Sequence, residues 1–86
     1  MKDIEKILKA LANRRRLAII KYLNSRHEAA VGDIATAIKL SLKATSKHLV
    51  ILHNVDILER EQRSLLMYYR LADSLPKLAR SIIHYL

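Results

Sequence analysis

The sequence of 86 residues contains no cysteine, which excludes disulfide bonds, thiolate metal sites and cysteine redox switches. It also has no phenylalanine and no tryptophan, although hydrophobic residues make up 51% of the chain. The core must therefore consist of Leu, Ile, Val and Ala side chains. A single glycine and a single proline leave few helix-breaking positions, and they favour long helices with short connections.

Features of enzymes and of membrane proteins are missing too. No nucleophile–base arrangement, glycine-rich phosphate loop or acid pair in an apolar setting indicates catalysis. No apolar run approaches the roughly 18 residues of a membrane span, and charges interrupt residues 1–6, where a signal peptide would be apolar. We expect a cytoplasmic protein that is not an enzyme, needs no cofactor and folds as one domain, residues 1–86.

What the sequence has in excess is positive charge. Sixteen Lys and Arg residues against eight acids give a formal net charge of +8. A solvated basic surface without a partner would explain this excess, and so would a polyanionic partner. We favour nucleic acid, and we give a membrane surface less weight.

The basic residues are most regular in residues 38–49, which contain no acid. Lys39, Lys43 and Lys47 follow one another at four-residue spacing, which on a helix places them on one face. Ser41 stands where an N-cap is expected, which puts Lys39 in the preceding turn. The pattern predicts a helix with a basic outer face, of the kind that a DNA major groove accepts.

Hydrophobic periodicity predicts four helices, a two-stranded hairpin and a fifth helix. Asn13 is expected to cap the second helix. Asp73 or Ser74 is expected to cap the last one, with Pro76 in its first turn. The predicted helices are residues 3–12, 14–24, 31–38, 42–53 and a last helix to residue 86, and the predicted strands are 57–61 and 65–71, joined by 62–64.

Three segments carry a family pattern: residues 8–23 (LKALANRRRLAIIKYL), 40–52 (LSLKATSKHLVIL) and 67–71 (MYYRL). They resemble the opening signature, the recognition segment and the wing strand of the ArsR/SmtB family of transcriptional regulators. The resemblance implies a winged helix-turn-helix fold, mainly helical with a small β-hairpin. It also implies a homodimer formed by the first and last helices, which binds double-stranded DNA at a palindromic operator and represses transcription until an inducer relieves it.

The chain departs from this family at two kinds of position. Relatives often have glycine where this chain has Asp56 and Ser64, and Ser accepts a left-handed backbone less readily than Asp, which leaves the wing conformation open. The metal-binding motifs are missing as well, because a Cys-Val-Cys motif is replaced by residues 30–32, and Asp73 lacks its two His partners, replaced by Leu75 and Leu86. A lone Asp cannot hold a transition metal, so no metal site is predicted.

The resemblance assigns roles to the recognition helix. Lys43 and Ser46 are expected to reach base edges, and Lys47 a base or a phosphate. The helix end capped by Ser41 would face a phosphate. Val50 should point outward, where it either meets a thymine methyl group or is merely exposed.

Other positions have a structural explanation beside the functional one. Thr45 is expected to pack inward, and for His48 we favour a structural role over a phosphate contact. Arg60 and Arg63 would reach the minor groove or its phosphates on a winged fold. Glu59 and Glu61 allow plain cross-strand salt bridges instead.

The run of three arginines at residues 14–16 opposes the macrodipole at a helix start, so a compensating partner is expected. Asp3, Glu5 or Glu28 could supply it structurally, and DNA phosphates functionally. The resemblance implies a structural role for Arg16 and leaves the other two arginines open.

The first and last helices carry more apolar surface than a small core needs. A patch of this size fits a two-fold dimer interface better than a monomer surface. The residues expected at this interface are Ile4, Ile7, Leu8, Leu11, Leu78, Ile82 and Leu86. Two alternatives to a sequence-specific regulator are a winged-helix module that binds an acidic protein and a nonspecific, architectural DNA-binding protein.

Overall fold

The computed structural model describes residues 3–86, and within them it has five helices and three short strands. Four helices come first and one comes last, as the hydrophobic pattern predicted. The elements are α1 (Ile4–Leu11), α2 (Arg14–Ser25), β1 (Ala29–Ala30), α3 (Val31–Ile38), α4 (Leu42–Asn54), β2 (Leu58–Arg63), β3 (Leu66–Leu71) and α5 (Lys77–Ile83).

Side-chain caps fix where three of the helices begin. Asp3 accepts hydrogen bonds from two backbone N–H groups of the first turn of α1. Asn13 does the same for α2 at 2.9 and 3.1 Å, and the Ser41 hydroxyl accepts from the N–H of Ala44 at 3.1 Å. Each cap satisfies N–H groups that have no partner inside the helix. The predicted caps Asn13 and Ser41 are confirmed.

Helix α5 begins differently from the prediction. Its N-cap is Pro76, no side chain caps it, and the helix starts at Lys77. A proline disfavours helical backbone at the residue before it, which keeps Leu75 out of the helix, and Pro76 itself is the N-cap and not part of the first turn as expected. The predicted caps, Asp73 or Ser74, are therefore wrong.

The three strands form one antiparallel sheet in the order β1-β3-β2. The hairpin turn lies at residues 64 and 65, because Gln62 and Arg63 pair with Met67 and Leu66. The predicted connection, residues 62–64, was therefore displaced toward the N-terminus. Strand β1 was not predicted, and it pairs Ala29 with Tyr69 on the free edge of β3.

Among residues 3–86, three residues other than glycine have left-handed backbone, and each stands at a junction. Lys39 (φ 56°) ends α3, Asp56 (φ 63°) precedes β2 and Ser64 (φ 57°) lies in the hairpin turn. Asp56 and Ser64 are the two positions where the family often has glycine. At Lys39 the chain makes the sharp turn between α3 and α4, with the N–H of Leu40 donating to the carbonyl of Ala35 at 3.0 Å.

One hydrophobic cluster draws side chains from every helix and from all three strands. Its centre is fully buried and consists of aliphatic residues from α2, α3, α4 and the start of the hairpin: Ile19, Ile20, Ile34, Leu49, Leu52 and Ile57. Helix α3, the turn at residues 39–41 and helix α4 form a helix-turn-helix, and the β2–β3 hairpin is the wing. The predicted winged helix-turn-helix fold is confirmed.

Two structural features are absent from residues 3–86. No helix in this part of the chain is long and apolar enough to cross a membrane. Within the same residues, no group of three or more His, Cys, Asp or Glu side chains is arranged to hold a metal ion.

Candidate nucleic-acid interface

Helix α4 has one buried face and one basic face. Thr45 and Leu49 are completely buried, which confirms that Thr45 packs inward. Lys43 and Lys47 are exposed on the opposite side, one turn apart, with Ser46 half-buried beside them. No acidic residue occurs in the helix, so the exposed face and the positive helix N-terminus reinforce each other. We call α4 the recognition helix.

Arg16 braces the recognition helix from behind. Its Nε donates to the carbonyl of Ala10 at 2.6 Å and its Nη2 to the carbonyl of Lys9 at 3.1 Å, both at the C-terminus of α1. Its Nη1 lies 3.1 Å from Nδ1 of His48 on α4. Because a guanidinium only donates, Nδ1 must accept and the neutral imidazole carries its proton on Nε2. The structural roles expected for Arg16 and His48 are confirmed.

The surroundings of His48 keep it neutral. Burial lowers its pKa below the ordinary value of 6.5, and the positive charges of Arg16 and Arg15 lower the pKa further. A protonated imidazole would lose its acceptor at Nδ1 and would place a second cation against the guanidinium of Arg16. The hydrogen bond from Arg16 and the neutral form of His48 therefore support each other.

The arginine run at the start of α2 finds its compensation in neighbouring helices. Arg15 donates from Nη1 to the carbonyl of Ile38, the last residue of α3, at 3.0 Å. Arg16 reaches the last carbonyls of α1 in the same way. Cations are favourable at helix C-termini, where carbonyl groups lack partners inside the helix. We expected carboxylates or phosphates as partners, and in the structure Arg15 and Arg16 bind main-chain carbonyls instead.

The wing arginines differ in how strongly they are held. Arg60 donates to the Tyr69 hydroxyl across the hairpin at 3.4 Å. Arg63 makes a two-pronged ion pair with Glu28, including Nη2 to Oε1 at 2.8 Å, and a further one with Glu61 at 3.1 Å. Arg63 is therefore held by ion pairs, although not by the cross-strand bridges that the sequence left open. Glu61 is on the same strand as Arg63, and the cross-strand bridges to Glu59 and Glu61 are made by Arg70 at 3.2 and 3.7 Å.

Arg63 makes one further contact, and it also changes the acidity of Glu28. The Arg63 guanidinium lies over the Tyr68 ring, 4.6 Å from its centroid. The hydrogen bond from Arg63 lowers the pKa of the Glu28 carboxyl. Sequence reasoning missed Glu28 as the main partner, because the two residues are 35 positions apart and only the β1–β3 pairing brings them together. At the wing tip, Leu65 is 93% exposed.

The residues predicted at a dimer interface fall into two groups. Ile4 and Leu8 on α1 are 52% and 47% exposed, and α5 packs beside that helix. Ile7 and Leu11 are only 3% exposed and belong to the core of the chain itself. The surface continues onto residues of α5 and of the segment after it, which are partly or largely exposed: Leu78 and Ile82 on α5, and Tyr85 and Leu86 beyond its end.

Residues 13–60, from the cap of α2 into the wing, match the family model described as "Bacterial regulatory protein, arsR family". This chain belongs to that family. The match confirms the resemblance. Its residues include the helix-turn-helix and the pair formed by Arg16 and His48.

Two curated relatives are similar over most of the chain. A cadmium resistance transcriptional regulatory protein, the CadC homolog of Staphylococcus aureus, is 35% identical over 71 residues, 83% of this chain. The arsenical resistance operon repressor of Escherichia coli is 32% identical over 77 residues, 90% of this chain. The matched part of the chain spans 59% and 66% of their respective lengths. These relatives are transcriptional regulators and not enzymes.

Solved structures agree with the fold. Reduced HlyU from Vibrio cholerae superimposes with a TM-score of 0.81 at 29% identity, covering 96% of this chain and 83% of that one. A Mycobacterium bovis protein, Mb0332, has a TM-score of 0.79 at 32% identity, covering 95% of this chain and 72% of that one. The latter is described as a homodimeric winged helix-turn-helix DNA-binding domain.

Proposed function

We propose that this chain is a sequence-specific DNA-binding transcriptional regulator of the bacterial cytoplasm. In this proposal residues 1–86 act as one DNA-binding domain, and a homodimer represses transcription from a palindromic operator. The acid-free outer face of α4, with Lys43 and Lys47 one turn apart, is the observation that carries the proposal. Repression follows the Escherichia coli relative, which is named a repressor.

Each exposed group on this face has a proposed DNA contact. Lys43 and Ser46 read base edges in the major groove, and Lys47 contacts a base or a phosphate. The helix end capped by Ser41 receives a phosphate, as helix N-termini commonly do. Arg60 on the wing reaches the neighbouring minor groove or its phosphates. Arg63 can make the same kind of contact only after its ion pairs with Glu28 and Glu61 have broken.

The proposed homodimer uses the exposed apolar side chains of α1 and α5. Ile4 and Leu8 would meet their copies across a two-fold axis, with Leu78, Ile82 and Leu86 beside them. Such a dimer would present two recognition helices about 34 Å apart, one turn of DNA. Ile7 and Leu11 would support this surface from within the core of each copy.

Binding to DNA selected from the host genome tests the proposal. Lys43→Ala and Lys47→Ala should each weaken binding to the selected duplex by about 1–3 kcal/mol if the lysine reads a base. Lys77→Ala on α5 is the matched control, because it removes the same charge from an exposed position on a different helix and should leave the affinity within twofold of the wild type. Equal affinities for all three variants would contradict the assignment of α4.

Two further measurements separate the alternatives. A lysine that contacts a phosphate should reduce the salt dependence of binding by about one released counterion when it is replaced. A module that binds only protein gives no DNA binding to titrate. A nonspecific architectural protein binds the selected duplex and random duplexes with the same affinity.

The homodimer has its own test. Leu8→Glu would bury a carboxylate in the proposed interface, so the variant should be monomeric in light-scattering measurements and should bind a palindrome at least tenfold more weakly. Leu65→Glu is the control for the mass measurement, because it puts the same charge on an exposed leucine at the wing tip, outside the proposed interface. A Leu8→Glu variant with unchanged mass would exclude this interface.

A further inference from the structure

The basic face of the recognition helix contains an apolar strip. Val50 and Ile51 are each 39% exposed, and with Ser46 and Lys47 they line a shallow depression on the outer surface of the helix. Val50 follows Lys47 by three residues and Ser46 by four, so the three side chains are neighbours on one helix face. The strip therefore continues the face that carries the lysines.

An exposed valine is an unfavourable choice for this position when the free protein alone is considered. β-branched side chains lose rotamer freedom in helices, and charged or polar helix formers would hydrate better on an outer face. Val50 and Ile51 are adjacent, so this is a patch and not an isolated apolar side chain. A partner with a complementary apolar group would compensate for both costs.

The surroundings of the strip restrict what that partner can be. Lys43 and Lys47 are on the same face, and α4 contains no acid. A second copy of this chain docking through the same face would bring these lysines together, which disfavours self-association there. Duplex DNA supplies negative charge next to an apolar group, because thymine presents its C5-methyl group in the major groove.

We infer that Val50, with Ile51 beside it, is a specificity-determining residue that contacts a thymine methyl group in the major groove. The inference rests on the proposed function and extends it to one base of the target. Lys43 and Ser46 in the first turns of α4 and Val50 one turn later would then read successive parts of one half-site.

Substituting thymine by deoxyuridine tests this contact, because only the methyl group is removed. The probe is a duplex selected from a random-sequence pool with the wild-type protein, and each thymine in it is replaced in turn. At one thymine in each half-site the wild-type protein should bind about fourfold more weakly, the value for one buried methyl group. Substitutions at the other thymines should have smaller effects.

Variants at Val50 assign the methyl contact to this side chain. Val50→Ala changes both copies of the homodimer, so it should bind the unmodified duplex about fourfold more weakly per half-site, about sixteenfold in all, and should no longer distinguish thymine from uracil at that position. Val50→Ile should keep the distinction. Leu65→Ala is the matched control, because it truncates an exposed aliphatic side chain outside α4 and should leave the preference for this thymine unchanged.

Four results would overturn the inference. Sequence-specific binding that is insensitive to uracil at every position, or a Val50→Ala variant that retains the thymine preference, excludes Val50 and leaves the proposed function intact. A Val50→Ala variant that changes the association state in sedimentation, with the thymine preference retained, assigns the strip to a second copy. Absence of sequence-specific DNA binding overturns the proposed function together with this inference.

Discussion

The guanidinium of Arg16 lies 3.1 Å from Nδ1 of His48, and this contact ties the start of α2 to the middle of the recognition helix. The same side chain also holds the last carbonyls of α1. Three helices therefore meet at one cation. This arrangement positions α4 from its inner edge and leaves its basic face free.

Removing the Arg16 side chain should destabilise the fold. Arg16→Ala leaves two helix-end carbonyls and one imidazole nitrogen without their donor, which should lower the free energy of unfolding by about 1–3 kcal/mol. Urea unfolding measures the loss. Arg14→Ala is the control, because Arg14 is exposed at the same helix start and its loss relieves an unfavourable macrodipole interaction. Equal stabilities of the two variants would show that the contacts of Arg16 with α1 and His48 do not stabilise the fold.

His48 should make stability depend on pH. Its pKa in the folded protein is lowered, so the unfolded chain binds the proton first as the pH falls. The contribution of His48 is fully present above the ordinary pKa of about 6.5 and is lost as the pH falls from there through the lowered pKa. His48→Asn keeps an acceptor for Arg16 and cannot titrate, so its stability should fall less steeply between about pH 7 and pH 5. If the free energy of unfolding, measured in urea, changed equally with pH for both proteins, this linkage would be excluded.

Glu28 should restrain the wing in the absence of DNA. Glu28→Gln removes the main ionic partner of Arg63, so this guanidinium can reach a phosphate at lower cost. Binding of the selected duplex should become about threefold tighter. Glu5→Gln on α1 changes the net charge equally at a site whose carboxylate pairs with Lys9, and serves as the control. Identical affinities for both variants would mean that Arg63 makes no DNA contact.

Thr45 offers a route to a more stable protein. Its hydroxyl is completely buried and has no hydrogen-bond partner among the described residues. Thr45→Val keeps the shape and removes the unpaired polar group, so the free energy of unfolding should rise by about 1 kcal/mol. In Thr36→Val the hydroxyl lost is exposed and bonded to the Gly32 carbonyl, so no such gain is expected. A loss of stability in Thr45→Val would show that the hydroxyl is satisfied after all.

The helices were predictable because each of them shows a periodic apolar pattern. Most of them also begin at a capping side chain. Asn13 and Ser41 set the starts of α2 and α4 as the sequence indicated. Strand β1 was missed because two alanines form no period of any kind, and only the edge of β3 makes them a strand. Helix α5 was misjudged at its start because Asp73 and Ser74 resemble caps, whereas Pro76 decides where helical backbone can begin.

The candidate site was predictable only where it lies on one helix. The outward positions of Lys43 and Lys47 follow from spacing alone, and so does the burial of Thr45. Apart from Glu61, which is two residues from Arg63, the partners of Arg15, Arg16 and Arg63 are 6 to 35 residues away, and tertiary packing brings them together. No local pattern distinguishes an arginine held by a carboxylate from one that is free to bind DNA.

Helix α1 uses one face for the core of its own chain and another for the proposed dimer. Its buried edge, with Ile7 and Leu11, belongs to the core of one chain, whereas Ile4 and Leu8 are free to meet a second. We therefore expect a single copy to keep its fold, so that the proposed dimer is a reversible equilibrium governed by mass action. At low abundance, occupancy of a two-part operator would then rise with the square of protein concentration, so the amount of regulator in the cell would itself act as a threshold.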